Sequence, residues 1–413
     1  MKKLSTLILA AGAMGAVALT TVPEAEAARS TSLNDSRLIT DKNDIYLYPQ
    51  LGVEYSRLLS FEYGPAQNMG SGLALFGDEE LTFGVGLSRG DLTTMPNFFG
   101  VPGNAAGFLM PGIDNPTDGP DPFVMADLFA STDLGGGLLG ARLSLGQNVD
   151  KDTNLDDETT GESTNLLGAT IGYTIDDDMR IDTSATLQHV RVGITDETSD
   201  DDSAEYPKES ATNIGLSARV FNPMNDDMDL GIIGDITYSS DSTTGWDFAE
   251  DEEGSTARTS NLMALAGAGP VYHTDDAVVA AYGVLGYQRN STNPDTDEDL
   301  DRNISTNILF PGVHVSTEID IRHWLHFRTG MQYSFQFDRT RAEADVEDTS
   351  RDDTVSSSRS GAFGWNAGVG VATGDFTLDG VFQHGFVTNG PAFLGGDAGL
   401  GGMFAMVAAG YQF

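Results

Sequence analysis

The chain has 413 residues, no Cys, and 62 acidic against 22 basic residues, which gives a formal net charge of −40. This charge would repel phosphate and excludes nucleic acid as a partner, while the lack of Cys excludes disulfides and a lipid anchor on an N-terminal Cys. Only 39% of residues are hydrophobic, although Gly (49), Phe (21) and Tyr (12) are frequent, and this composition is unusual for soluble helical domains.

Residues 1–27 are predicted to be a signal peptide. Met1-Lys2-Lys3 precedes an uncharged apolar run from Leu7 to Leu19, and Ala25 and Ala27 supply small residues for a cut after Ala27. A membrane anchor is the alternative, but the run is shorter than the roughly 18 apolar residues that a spanning helix needs. We therefore expect an exported chain.

Residues 28–78 form a separate N-terminal segment with two alternative structures. It contains two short strand candidates, Arg57 to Tyr63 and Ser71 to Phe76. In the other alternative, the stretch from Ala28 to Gly77 folds as a plug inside a barrel that residues 79–413 form.

Residues 79–413 alternate between apolar and polar positions with a period of two, which predicts β-strands. Between Ile321 and Asp338, for example, the odd positions are mostly apolar and the even positions mostly polar. The polar face is rich in small residues, such as Gly364, Asn366 and Gly368. Small polar residues suit the hydrated interior of a barrel whose outside meets lipid better than they suit a soluble sandwich.

The alternation divides this region into fourteen strands. They span residues 80–90, 122–132, 136–147, 164–175, 178–195, 209–222, 227–239, 258–273, 275–289, 304–319, 321–339, 357–373, 375–387 and 399–413. Short connections alternate with long ones at 90–121, 147–163, 196–208, 240–257, 290–303, 340–356 and 388–398, and acidic stretches in five of the long ones hold more than half of the negative excess. The predicted fold is an all-β, transmembrane, antiparallel up-and-down β-barrel of 14 strands, or 16 with the two N-terminal candidates. Its turns are short and periplasmic, and its long acidic loops are extracellular.

The last strand ends in an alternating apolar pattern. Met403, Ala405, Val407, Ala409, Tyr411 and Phe413 share one face. This resembles the C-terminal signature of outer-membrane proteins that the barrel-assembly machinery inserts. The resemblance implies that Tyr411 and Phe413 are an assembly signal, that the chain resides in the outer membrane of a Gram-negative cell, and that its partners are outer-membrane lipid and that machinery.

At the level of the whole chain, the size, the strand number and the separate N-terminal segment resemble the long-chain fatty-acid transporter class of barrels. Members of that class carry an Asn-Pro-Ala motif near the mature N-terminus, where this chain has Tyr46-Leu47-Tyr48-Pro49-Gln50-Leu51. The resemblance therefore concerns the architecture and leaves the substrate open.

Several charged residues occupy the polar faces of the predicted strands and are candidates for lining the lumen. They are Arg142, Arg180, Asp182, Arg219, Asp235, Glu318, Arg322, Arg328 and Asp379. Guanidinium groups along a pore would attract anions. Alternatively, these charges pair with each other and fill a narrow lumen.

Sequence motifs predict no metal site, cofactor or catalytic residue. The acidic stretches Asp150 to Asn154 and Asp295 to Asp301 place oxygen atoms two residues apart, but they lack the Gly and the bidentate Glu of a calcium loop, so we expect at most weak divalent-cation binding there. The six His residues show no metal-ligand spacing. An enzyme of this architecture would need an Asp/His or Ser/His pair at the outer rim or lipid face. His189 lies where the alternation changes phase, which predicts a β-bulge.

These patterns together predict an outer-membrane channel or transporter that passes small solutes, hydrophobic ones included. The alternative is a surface barrel that transports nothing and serves adhesion or acts as a scaffold.

Overall fold

The computed structural model describes residues 28–64, 69–89, 124–153, 159–197, 204–247, 252–293, 302–343, 354–382 and 404–413. The predicted signal peptide, the predicted loops at 90–121 and 388–398, and the predicted strand residues 383–387 and 399–403 lie outside these residues. None of the helices within them is long and apolar enough to cross a membrane.

The described residues form one short helix, two 3-10 helices and sixteen strands. The helix α1 is Ala28–Ser32, and the 3-10 helices are Lys42–Tyr46 and Pro49–Val53. The strands are β1 Leu58–Gly64, β2 Met69–Gly77, β3 Leu81–Arg89, β4 Val124–Asp133, β5 Leu138–Thr153, β6 Thr159–Asp176, β7 Arg180–Glu197, β8 Ala204–Asn225, β9 Met228–Asp247, β10 Glu252–His273, β11 Ala277–Asn293, β12 Arg302–Arg322, β13 Leu325–Glu343, β14 Thr354–Thr373, β15 Phe376–Phe382 and β16 Phe404–Gln412.

The strands form a closed barrel in which each strand pairs antiparallel with its neighbours in sequence. The last strand closes the barrel by pairing with the first, from Leu58 opposite Gln412 to Tyr63 opposite Val407. Closure leaves no unpaired sheet edge, which is the condition for a sheet to cross a lipid bilayer. The all-β up-and-down barrel is therefore confirmed, and its strand number is sixteen because both N-terminal candidates are strands.

Side chains alternate between the two faces of the wall as predicted. On β5, Leu143 is 40% exposed on the outer face, while Arg142 and Ser144 on the inner face are 4% and 2% exposed. The large exposed apolar side chains along the other strands repeat this arrangement. The outside of the barrel is apolar and the inside is polar, as expected for a wall between lipid and a hydrated lumen.

Many strands extend further than their apolar pattern indicates. About 10 residues of a tilted strand cross a bilayer, but β8 has 22. β5 and β6 remain paired at Asp150 opposite Glu162, inside the region predicted as the loop 147–163. Beyond the bilayer, water can hydrate polar side chains on either face, so backbone pairing needs no apolar face and these strands extend into regions predicted as loops.

The bulge predicted at His189 is wrong. β7 continues without a register shift through His189, which lies opposite Thr212, and the shift occurs between Gly193 and Thr195. The phase change has a different cause: Val190 points inward and is fully buried. An apolar residue on the lumen face therefore imitated a bulge in the sequence pattern.

The two alternatives for the N-terminal segment are combined in the structure. Residues 58–64 and 69–77 form β1 and β2, while residues 28–57, called the plug from here on, lie inside the barrel. The plug packs against strands around most of the circumference, from β3 to β6 and from β13 to β16. A sixteen-stranded barrel is too wide for its own side chains to fill, so a folded segment can occupy the lumen.

We expect deletion of Phe413 to reduce the yield of assembled barrel. Phe413 lies at the closing seam, where its backbone N–H donates to the carbonyl oxygen of Arg57 at 2.9 Å and its ring faces Phe76 and Tyr411. Heat-modifiable migration on gels measures the folded fraction after expression. An unchanged yield would show that the terminal aromatic residue has no part in assembly.

Candidate functional site

The two 3-10 helices of the plug begin at residues that suit the start of a helix. The Asp41 carboxylate accepts a hydrogen bond from the backbone N–H of Asn43 at 2.9 Å, and Asp44 accepts one from the N–H of Asp41 at 3.0 Å. This reciprocal capping box starts the first 3-10 helix. Pro49 starts the second, where its missing N–H has no intrahelical partner to lose. Local sequence therefore favours the two 3-10 helices of the plug.

Apolar clusters attach the plug to the wall on different sides of the lumen, and the smallest of them joins Ala28 to Val381, Met406 and Ala408. Leu33, Leu38 and Ile39 pack among inward-facing residues of β9 to β12, namely Ile233, Met263, Leu265, Val271, Ala280, Tyr282, Val284 and Leu309. On the other side of the lumen, plug residues between Ile45 and Leu51 pack against Leu73, Leu75 and Phe129. Burial of these side chains provides the non-directional part of the attachment.

Inward-facing glycines give the plug backbone room to approach the wall. A Cβ atom at Gly330 on β13 would lie 2.1 Å from the carbonyl oxygen of Leu33, and one at Gly140 on β5 would lie 2.1 Å from the backbone nitrogen of Gln50. Real Cβ atoms do not come this close to backbone atoms. The two glycines therefore form seats on opposite parts of the wall, and the plug cannot keep its position if either gains a side chain.

We expect Gly330→Ala to unseat the plug near Leu33 while leaving the barrel closed. The matched control is Gly234→Ala, because a Cβ atom there would meet nothing nearer than 4.0 Å. Limited trypsin digestion, followed by mass spectrometry of fragments ending at Arg29, Arg37 or Lys42, reports whether the plug is protected. Equal protection in both variants would mean that Gly330 is not a seat.

Arg219 lies at the centre of an ion-pair network that joins the plug to the wall. It is fully buried; its Nε is 2.6 Å from Asp182 on β7 and its Nη1 is 2.6 Å from Asp44 in the plug. Its guanidinium also lies over the Tyr48 ring, 4.8 Å from the centroid. Arg180 extends the network by contacting both Asp182 and the plug residue Glu54.

A second ion pair lies between Arg37 of the plug and Asp235 on β9. The Nη1–Oδ2 distance is 2.9 Å and both side chains are buried. Arg37 also donates to the hydroxyl oxygen of Tyr48 at 2.6 Å, while the carbonyl oxygen of Arg37 accepts from Arg219 at 3.4 Å. Tyr48 thus lies between the two arginines and connects both ion pairs.

A third group of ion pairs holds α1 against β12, β13 and β15. Arg29 contacts Glu318 at 2.9 Å and Asp41 at 3.0 Å. Arg328 contacts the same Glu318 at 2.8 Å and also contacts Asp379. Glu318 therefore receives one guanidinium from the plug and one from the wall.

The charges of the plug adapt to burial through these partners. Burial would raise the pKa of Asp41, but the nearby Arg29 and Lys42 outweigh it and hold this pKa below its usual value. Burial and the neighbouring Asp41 raise the pKa of Asp44, although Arg219 opposes the shift. For Arg37, burial would lower the pKa, but Asp235 and Tyr48 raise it. Asp41 and Arg37 therefore remain charged inside the lumen.

Most of the predicted lumen-lining residues are found in these networks, with two exceptions. Arg142 is buried on β5, 3.8 Å from Asp127 on β4 and 3.2 Å from Thr170 on β6. Arg322 is exposed at the end of β12, where a register shift and a turn to β13 follow, and it belongs to none of the three networks above. Arg142, Arg180, Arg219 and Arg328 each have a carboxylate partner.

The plug residues that hold these charges were not identified from the sequence. The sequence did contain a signal for them, because the segment that was already a plug candidate carries both positive and negative charges. These are Arg29, Arg37, Asp41, Asp44 and Glu54. Their partners could not be assigned, because Arg37 and Asp235 are separated by 198 residues along the chain.

Two His–Asp contacts occur in the described residues, both where strands meet the short turns. His326 Nδ1 lies 2.5 Å from Asp320, and His273 Nε2 lies 3.1 Å from Asp229. An outer-membrane enzyme was expected to have such a pair at the opposite rim or on the lipid face. His189 faces outward and contacts Thr212 at 3.0 Å.

No protein-family model and no curated protein matches the sequence. Among solved structures, the chain is similar to the siderophore receptor PiuA from Acinetobacter baumannii, with 9% identity, a TM-score of 0.39, and 63% of this chain and 47% of that chain covered. The ferric-catecholate import receptor Fiu from E. coli K12 gives 8% identity and a TM-score of 0.37, with 86% of this chain and 81% of that chain covered. The toluene transporter TodX from P. putida gives 8% identity and a TM-score of 0.30, with 94% of this chain and 99% of that chain covered.

The chain spans about half the length of PiuA. At such identities and TM-scores these likenesses carry nothing about substrate, so the strand pairing and the two faces of the wall establish the fold. Closure without a free edge and an apolar outer face are properties of barrels that cross the outer membrane. The chain is an outer-membrane β-barrel of sixteen strands that holds its own residues 28–57 inside its lumen.

Proposed function

We propose that the protein is an outer-membrane transporter whose lumen is closed at rest by the plug. The observation that carries the proposal is the attachment of residues 28–57 to opposite parts of the inner wall through Arg219–Asp44, Arg37–Asp235 and Arg29–Glu318. A plug held in this way restricts free diffusion, so solutes would pass only when it moves.

The balance of forces at the plug supports reversible movement. Buried ion pairs contribute little net stability, because bringing charges out of water costs about as much as their attraction returns. When the plug moves and water enters, Arg37 and Asp235 regain hydration, which offsets the loss of their mutual attraction. Attachment through buried ion pairs therefore favours a plug that can move away from the wall reversibly.

The solute class we propose is small molecules, hydrophobic ones included. Inward-facing apolar side chains on β9 to β12, among them Ile233, Leu265 and Leu309, form a continuous cluster with Leu33 and Leu38 of the plug. Displacement of the plug would expose this apolar surface inside the lumen. A solute with apolar parts would then find a surface to replace the plug contacts.

A reversible cross-link between plug and wall tests the proposal. Ser36 and Ser316 approach within 2.7 Å through their hydroxyl oxygens, and the chain has no Cys, so Ser36→Cys with Ser316→Cys allows a single disulfide. Uptake of radiolabelled apolar and sugar solutes into proteoliposomes is measured with the pair oxidised and then reduced. We expect uptake only after reduction.

The matched control is the single variant Ser316→Cys, whose uptake should not respond to reductant. Equal uptake by the oxidised and reduced forms would show that transport does not need plug movement. No uptake in any form, including the wild type, would favour a barrel that serves as a surface scaffold or in adhesion.

A further inference from the structure

Three potential metal ligands lie together on β12 and β13, beside the plug. They are Glu318, Asp320 and His326, and one ligand atom from each lies within 4.8 Å of the others. Glu318 and Asp320 are two residues apart on β12, and Asp320 lies directly opposite His326 on β13. Residues two apart on a strand and residues directly opposite across a strand pair point to the same side of a sheet. The three donors therefore share one face.

The three groups have atoms available for a further ligand. The Asp320 and His326 side chains are 42% and 19% exposed, so the group is accessible from the adjacent turn. Arg29 and Arg328 approach Glu318 only through its Oε2 atom, at 2.8 to 3.0 Å. The other carboxylate oxygen of Glu318, Oε1, takes part in neither of these two ion pairs and can serve as a metal ligand.

The surrounding charges favour a cation despite the two arginines. Arg29 is also paired with Asp41, and Arg328 is also paired with Asp379. With the two carboxylates of the donor set, this connected group contains four carboxylates and two guanidinium groups. It carries a formal excess of two negative charges, which a divalent cation would neutralise.

We propose that Glu318, Asp320 and His326 form a binding site for a divalent transition-metal ion of the Zn²⁺ type. An imidazole nitrogen combined with carboxylate oxygens suits Zn²⁺ and similar metals, whereas Ca²⁺ and Mg²⁺ prefer oxygen ligands alone. Three protein ligands leave coordination positions for water or for a solute. The spacing of His residues along the sequence did not indicate this site, because its donors come from two strands that meet only in the barrel.

The site is linked to the plug through Glu318. A metal ion on this carboxylate competes with the Arg29 guanidinium for the same negative charge. Replacement of Arg29 removes the competing cation, so Arg29→Gln is expected to tighten metal binding. This effect separates a defined site from loose attraction to the acidic surface, which Arg29→Gln would alter little.

Isothermal titration of Zn²⁺ into the full mature barrel in detergent, without an affinity tag, tests the proposal. An excess of Ca²⁺ occupies the acidic stretches during the titration. The wild type should show one saturable Zn²⁺ site, and His326→Ala should weaken it about tenfold or more. The matched control is His323→Ala, three residues away and exposed at the turn, which should bind as the wild type does.

Heat-modifiable migration verifies that each variant is folded, and Asp320→Asn provides a second ligand variant at a partly exposed position that the fold does not require. Weaker binding in both His326→Ala and Asp320→Asn, together with tighter binding in Arg29→Gln, supports the site. The proposal is overturned if the wild type shows no saturable Zn²⁺ binding in Ca²⁺, or if His323→Ala loses as much affinity as His326→Ala. These measurements require no solute transport, so their outcome is independent of the proposed function.

Discussion

Replacement of Arg219 by Ala is expected to destabilise the folded protein by about 3–5 kcal/mol, because it removes one member of a buried ion-pair group. Asp44 and Asp182 would lose the guanidinium that lies 2.6 Å from each, so it would no longer offset the cost of their burial. The plug should lose its central attachment, since Asp44 belongs to the plug and Asp182 to the wall. Equilibrium unfolding of the refolded protein in guanidinium chloride measures the loss.

The matched control is Arg322→Ala, because Arg322 is an arginine of the same barrel whose side chain is exposed. Its replacement should change the free energy of unfolding by no more than about 0.5 kcal/mol. A further variant, Arg219→Met combined with Asp44→Leu and Asp182→Leu, replaces these three charged side chains by apolar ones and should recover much of the stability. Similar stability of Arg219→Ala and Arg322→Ala would contradict the central position of Arg219.

Introduction of Arg on the outer face of β9 is expected to have the second largest effect. Ile236 is half exposed on that face, in the central part of the barrel wall. A guanidinium there would lie in lipid, and a basic side chain near the bilayer midplane costs about 2–4 kcal/mol in such barrels. We expect Ile236→Arg to lower the free energy of unfolding by this amount in lipid vesicles.

Ser240 provides the comparison, because it lies on the same face of the same strand, four residues nearer the loops. Ser240→Arg should cost only about 0–1 kcal/mol, since the bilayer interface tolerates charge. The difference between the two variants thus measures depth in the membrane. Equal costs would mean that the outer face of β9 does not span a bilayer.

The strands and their two faces could be predicted from sequence because alternation is a local property. The side chains of β5 or β9 show it within a few residues, with apolar residues such as Ile236 between polar ones such as Asp235 and Thr237. β1 and β2 were less certain, since both are short and β2 contains Gly at three of its nine positions. Their status is decided by pairing, with each other and with β16 and β3, which lie far away in the sequence.

Of the contacts between the plug and the wall, only the residues of the wall could be predicted from the sequence. Period-two alternation identifies Arg219, Asp182 and Asp235 as inward-facing, but it does not reveal what they face. Their plug partners depend on how residues 28–57 fold across the lumen, and contacts such as Arg29 with Glu318 join residues 289 positions apart. The glycine seats have the same limitation, because Gly330 fits the strand pattern as any small residue would, whether or not a backbone lies against it.

The most direct test of closure by the plug is single-channel conductance in planar bilayers, for the wild type and for a variant that begins at residue 58 after the signal peptide. Heat-modifiable migration verifies that both barrels are folded. The wild type should be silent or show brief, small openings, while the variant without the plug should show large, stable openings. Equal and continuous conductance in both would contradict a lumen closed by residues 28–57.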